Sequence, residues 1–121
     1  MILKRSRKEL GDLGENYAAE HLKNLGHCIL ARNFRFRRLG ELDIITAKEG
    51  ELHFFEVKTR SSDRYGTPAE AVNTDKQMKI KKLAAVFCTQ QNYRNINMRF
   101  HIAEVLANNE TMKINFLFDA F

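Results

Sequence analysis

Apolar residues recur along this chain with two different periods. Between Ser6 and Gly26, Leu10, Leu13, Tyr17, Ala18, Leu22 and Leu25 fall at helical spacing and mark one face of an α-helix. Ser6 followed by Glu9 is a capping-box pair that starts it, and Gly26 supplies the residue that ends it. His27 to Phe36 reads as a first strand, with Cys28, Leu30, Phe34 and Phe36 apolar. Gly40 to Lys58 reads as two strands joined by a tight turn at Glu49-Gly50, with Ile45, Ala47, Leu52 and Phe54 on one face and Leu42, Ile44, Phe55 and Val57 on the other. Strands apolar on both faces belong in the middle of a sheet covered by helices.

The second half follows the same logic. Thr59 to Thr67 is polar and reads as a loop, and Pro68 to Val72 as a single helical turn. Thr74-x-x-Gln77 is a second capping-box pattern, opening a helix to about Gln90 with Gln77, Ile80, Ala84 and Phe87 in one stripe. After a polar connection at 91–97, Met98 to Leu106 and Lys113 to Phe118 read as strands around a turn at Asn108-Asn109. The order is α β β β α β β, a single α/β domain over residues 1–121 with a basic arm at 1–6.

Acids interrupt the apolar pattern of the central hairpin. Counting outward from the turn pairs Lys48 with Glu51, Ile45 with Phe54, Asp43 with Glu56 and Glu41 with Lys58. Directly opposed residues share a sheet face, so Asp43, Glu56 and Lys58 are expected to project together at the open end of the hairpin. Two carboxylates held that close repel each other, and a divalent cation between them removes the repulsion. Mg²⁺, or Mn²⁺, suits such oxygen ligands with water and phosphate completing the shell. A lysine beside the ion can orient or deprotonate the attacking water.

Composition changes the picture modestly. Lysine and arginine total 20 against 15 acids, a formal charge of +5 that favours a polyanionic partner. The cations cluster: Lys4, Arg5, Arg7 and Lys8 open the chain, Arg32, Arg35, Arg37 and Arg38 precede the hairpin, and Lys76, Lys79, Lys81 and Lys82 lie on the later helix. The two cysteines, Cys28 and Cys88, have no metal-ligand spacing and read as buried small hydrophobes of a reducing compartment. No run has the length of a membrane span and no secretion signal is visible, so a cytoplasmic location is expected. Glu15, near the edge of the first helix's buried stripe, reads on local pattern as a solvent-facing helix former. Gln77 reads as a reciprocal cap, and His101 as a packed or hydrogen-bonded strand residue.

Asp43 followed by Glu56-Val57-Lys58 resembles the PD-(D/E)XK nuclease signature of restriction-endonuclease-like folds. Gly11-x-x-Gly14-Glu15-x-x-Ala18, Gly40-Glu41-Leu42-Asp43, Phe55-Glu56-Val57-Lys58-Thr59-Arg60, Tyr65-Gly66-x-Pro68 and Lys76-Gln77 follow in order. Together they resemble the UPF0102 (YraN-like) family of small bacterial proteins, which is similar to archaeal Holliday junction resolvases. The resemblance implies a central mixed β-sheet flanked by α-helices and a Mg²⁺-dependent DNA endonuclease, with branched DNA as a candidate substrate. It raises Glu15 to a metal-site residue beside Asp43, Glu56 and the Val57 carbonyl, with Lys58 catalytic and Gln77, or Lys76, orienting the site. Arg35, Arg37, Arg38, Arg60, Arg64, Lys76 and Lys79 would hold phosphates. Cutting two strands of a junction implies a homodimer. Leu42 stands in place of the signature's proline, and His101 where related sequences usually have Asp. The rival readings are a nucleic-acid-binding module with weak or no catalysis, and a partner-binding accessory protein in DNA processing.

Overall fold

The computed structural model describes residues 6–61, 72–108 and 111–121. Its elements are α1 (Arg7–Asn24), β1 (Cys28–Arg35), β2 (Glu41–Lys48), β3 (Glu51–Arg60), α2 (Thr74–Gln90), β4 (Met98–Ala107) and β5 (Met112–Leu117), the order read from the sequence. The five strands form one sheet in the order β1-β2-β3-β4-β5. All neighbours are antiparallel except β3 and β4, which run parallel because α2 carries the chain back between them. The sheet is therefore mixed, as expected.

Alternation along the hairpin separates two cores. Ile45, Leu52 and Phe54 pack with Ile80, Leu83, Ala84 and Phe87 of α2. Ile44, Phe55, Ala103 and Val105 pack with Ala18, Ala19 and Leu22 of α1. The central strands are thus covered on both faces, which explains their double apolar pattern. The described part of the first helix differs from the periodic reading at its end. Leu25 is 50 % exposed, and Ala19 is buried in its place. Leu25 sits at the cap, where its N–H bonds His21 and Leu22 carbonyls and the chain turns away from the sheet.

Local chemistry fixes the element ends. Ser6 caps α1 by accepting from the Glu9 N–H at 3.1 Å. The cap of α2 is Asn73, not Thr74: its side chain accepts from the Lys76 N–H at 2.9 Å. Gln77 then turns back to donate to the Val72 carbonyl at 3.0 Å rather than forming the expected reciprocal pair. Glu49 and Gly50 both have positive φ, 51° and 78°, as a two-residue hairpin turn requires. Cys88 is buried as expected, whereas Cys28 is exposed because it starts the edge strand β1. β3 continues through Arg60, so the polar stretch after Lys58 begins as strand. The arm before Ser6, the turn read at Pro68 to Val72 except Val72 itself, and Asn109 lie outside the described residues. No described helix is long and apolar enough to cross a membrane.

Candidate metal centre

The hairpin register counted from the turn holds from Lys48↔Glu51 through Ile45↔Phe54 to Ile44↔Phe55. The ladder ends there, one step short of Asp43 and Glu56. At that step the Asp43 side chain takes over: its Oδ2 accepts the Val57 N–H at 2.8 Å. Leu42 packs with Ile45 in the core under α2, although strict alternation would put it with Ile44. On the other side of β2, the pairs Arg32↔Ile44 and Phe34↔Leu42 bracket Asn33 and Asp43, and Asn33 has φ 53°. The two strands change face at this point.

That local switch divides the acids differently from the simple pairing. Asp43 meets Glu15 of α1, with which it shares a hydrogen bond. Glu56 is met by Lys76 of α2, whose Nζ lies 3.2 Å from Oε1. The expected pairing of Glu41 with Lys58 does not form. Glu41 sits opposite Arg35 of β1 and accepts from its Nε at 2.8 Å. Lys58 sits opposite Glu104 of β4, with its Nζ 3.6 Å from Glu56.

Glu15, Glu41 and Asp43 converge, each offering an oxygen within 4.8 Å of the others. Glu41 is the site residue missed in the sequence. Its signal was present: it stands two residues before Asp43, at the same end of the same strand. Gly14 explains how α1 reaches the sheet here. A Cβ on Gly14 would lie 1.8 Å from Thr59 Oγ1, so only glycine lets the helix sit this close to β3. The next residue is Glu15, delivered to Asp43 by that approach.

The electrostatics of the cluster are unfavourable as it stands. Burial, and then the charge of Glu56, push the Asp43 carboxyl up to about 8, against the opposing Val57 N–H. Burial also raises Glu15, with the charge of Glu41 adding to it. Glu56 is 3 % exposed, and its Oε2 has no hydrogen-bond partner among the described residues. A buried carboxylate oxygen without a partner is costly, on the order of 1–3 kcal/mol or more for a charged group. Carboxylate oxygens are the donors that Mg²⁺ and Mn²⁺ take. With metal–oxygen bonds of about 2.1 Å, octahedral ligand oxygens lie about 3.0 Å apart when cis and about 4.2 Å when trans, so the triad has to draw in on binding the ion. The residues fit such an ion.

Cations surround these acids. A cleft of about 650 Å³ is lined by Glu15, Asp43, Val57 and Thr59 together with Arg7, Lys8 and Arg60. Arg7 and Lys8 join the cleft because they lie about two turns before Glu15 on α1. On the other side of Glu41, a smaller cavity of about 160 Å³ is lined by Arg38, Lys76 and Lys79. Arg37 and Arg38 are exposed in the β1–β2 turn. Arg60 is only 13 % exposed at its side chain and is held by Glu104 at 3.4 Å. Lys79 pairs with Asp75 at 3.1 Å. Gln77 is committed to the start of α2, where its side chain bonds the Val72 carbonyl rather than the acids. Arg64 lies outside the described residues. His101 is buried and hydrogen-bonded, accepting the Asp119 N–H at Nδ1 and meeting His53 at Nε2, each at 2.8 Å.

A sheet covered on both faces, with carboxylates gathered where two strands change face, places the chain among α/β proteins with an acidic site at a sheet end. A family model described as "Uncharacterised protein family UPF0102" matches residues 14–105. The chain belongs to this family. It is 43 % identical over 118 residues to a UPF0102 protein of Caldicellulosiruptor saccharolyticus, covering 96 % of this chain and 99 % of that one. It is 40 % identical over 121 residues to one from Caldanaerobacter subterraneus subsp. tengcongensis, covering 98 % of each. A UPF0102 protein of Clostridium acetobutylicum is 43 % identical over 119 residues, with 97 % of each chain covered.

Proposed function

We propose that this chain is a divalent-cation-dependent nuclease that hydrolyses phosphodiesters of DNA, with branched DNA as the candidate substrate. The observation that carries the reading is the gathering of Glu15, Glu41 and Asp43 beside Glu56, with Asp43 held far above its ordinary carboxylate range. Three acids gathered so closely, with only Glu41 paired to a cation, are reasonable in a site made for a cation. Glu15, Glu41 and Asp43 would hold Mg²⁺ or Mn²⁺, with Glu56 and the Val57 carbonyl adjoining. When bound, the ion supplies Lewis-acid activation of the phosphate and of an attacking water.

The chain's own residues supply the rest. Lys58, 3.6 Å from Glu56, would orient the attacking water and neutralise the charge that develops on the phosphate. Lys76 neutralises Glu56 from the opposite helix and orients it, the role first given to Gln77 or Lys76. Arg7, Lys8, Arg37, Arg38 and Lys79 line the approaches and hold phosphates without reading bases. A homodimer supplies the second cut when the substrate is a junction.

The alternative is a binding module that uses the cation only to bridge acids and phosphates. The two separate when the purified chain is given Mg²⁺ or Mn²⁺ with labelled junctions, flaps and single strands. Cleavage that disappears in Glu56→Ala while binding persists supports the nuclease. Binding with no cleavage of any of these substrates favours the module.

A further inference from the structure

Asn33 stands at the point where β1 and β2 change face. Its φ of 53° lies in the left-handed region, which asparagine tolerates better than most residues but which still favours glycine. Its exposed side chain lies over the acid cluster. With the amide nitrogen turned inward, it donates to Glu41 Oε1 and, at 3.1 Å, to Glu15 Oε1. These are two of the three acids of the candidate metal centre.

An asparagine amide has a donor at one end and an acceptor at the other. Facing two carboxylates, of which Glu41 is already paired with Arg35, only the NH₂ end is favourable. It donates to both and partly relieves their repulsion. With a divalent ion in the cluster, the carboxylate lone pairs point at the ion and the need for that donor goes. The same amide then has a reason to present its oxygen, a neutral ligand of the kind that hard cations accept. Buried Glu56 is a second observation at this end of the sheet: Lys58 and Lys76 both reach its Oε1, while its Oε2 has no partner among the described residues and keeps its lone pairs unused.

We infer that Asn33 belongs to the cation site as a two-state positioning residue: its NH₂ holds Glu15 and Glu41 in place without the ion, and its Oδ1 turns to the ion when it binds. This rests on the cluster being a cation site and adds to it a residue outside the nuclease signature. The left-handed backbone is the cost of carrying the side chain to this place. It also provides a clean variant, because Asn33→Gly removes the amide while relieving the backbone.

The test is Mn²⁺ titration of the full chain, followed by the electron paramagnetic resonance of free Mn²⁺, with thermal midpoints measured without metal. Asn33→Gly is expected to keep or raise its metal-free midpoint and to lose roughly ten-fold in Mn²⁺ affinity, the usual scale for an orienting residue. Asn33→Asp is expected to lower the metal-free midpoint, by adding a carboxylate, and to bind Mn²⁺ more tightly than wild type. Mn²⁺ affinity equal to wild type in both variants overturns the assignment. If wild type itself shows no Mn²⁺ binding that Asp43→Asn removes, the cation site fails and Asn33's role with it. Binding that depends on Asp43 but not on residue 33 sinks only the present inference.

Discussion

Asp43→Asn should make the metal-free protein more stable at neutral pH. The folded carboxyl titrates at about 8 against an ordinary 3.8, chiefly because it is buried and then because it feels the charge of Glu56. A group raised in the fold favours folding only while protonated. Its contribution is fully present below about pH 3.8 and is lost as pH rises through about 8. One pKa unit corresponds to about 1.4 kcal/mol, so at neutral pH the ionisable carboxyl weakens the fold by at most about 4 kcal/mol. Asparagine keeps the bond from the Val57 N–H through its oxygen and can donate to Glu15 through its nitrogen. It removes the charge without opening a hole. Urea unfolding of wild type and Asp43→Asn across the acid-to-alkaline range gives the comparison. The variant should gain over wild type as pH rises, approaching a few kcal/mol near neutrality and levelling off above about pH 8. Saturating Mg²⁺ should close the gap by stabilising wild type alone, by about 2.7 kcal/mol when the ion is at one hundred times its dissociation constant. A variant less stable than wild type at neutral pH, or a difference that does not vary with pH, would refute the reasoning.

Two further outcomes follow from the packing. Gly14→Ala drives a methyl into Thr59 and should lift α1 from β3, lowering stability by roughly 1–3 kcal/mol and weakening Mn²⁺ binding through Glu15. Gly11→Ala meets nothing within 4 Å and should be neutral or stabilising; equal effects at the two positions would contradict the close approach. The buried histidines carry the opposite pH dependence to Asp43. Burial, then the neighbouring His53, lowers both His27 and His101 from 6.5 to about 4. Their contribution is present above about pH 6.5 and is lost as pH falls towards about 4, when His101 Nδ1 can no longer accept the Asp119 N–H. In the Asp43→Asn background, where the competing carboxyl is absent, the urea midpoint should therefore fall steeply across that acid window, and a flat profile would count against the histidine account.

The element order and the hairpin register were legible because they rest on local signals: apolar period, capping residues and a two-residue turn whose positive φ values fit Glu49-Gly50. Asp43, Glu56 and Lys58 were legible as interruptions of that period. What pattern counting missed is tertiary. Extending the ladder by one more step assumed perfect alternation, but β1 and β2 change face around Asn33 and Asp43, so Leu42 joins the α2 core and Asp43 turns to Glu15. Glu41 was assigned to Lys58 by the same extension, whereas Arg35 of the neighbouring strand claims it. The partner of a residue at a strand's end depends on which strands lie beside it, and periodicity carries no such information. Likewise Gln77 fitted a capping box, yet Asn73 one residue earlier has the extended backbone an N-cap needs, with φ −74° and ψ 174°.

Crystals soaked in Mn²⁺, examined by anomalous scattering, test the account most directly. It predicts a single strong peak bounded by oxygens of Glu15, Glu41 and Asp43, with the bond between Asp43 and Glu15 opened and Glu56 drawn towards the ion. Saturating Mn²⁺ that leaves these carboxylates sharing their hydrogen bond, with no peak among them, would contradict it.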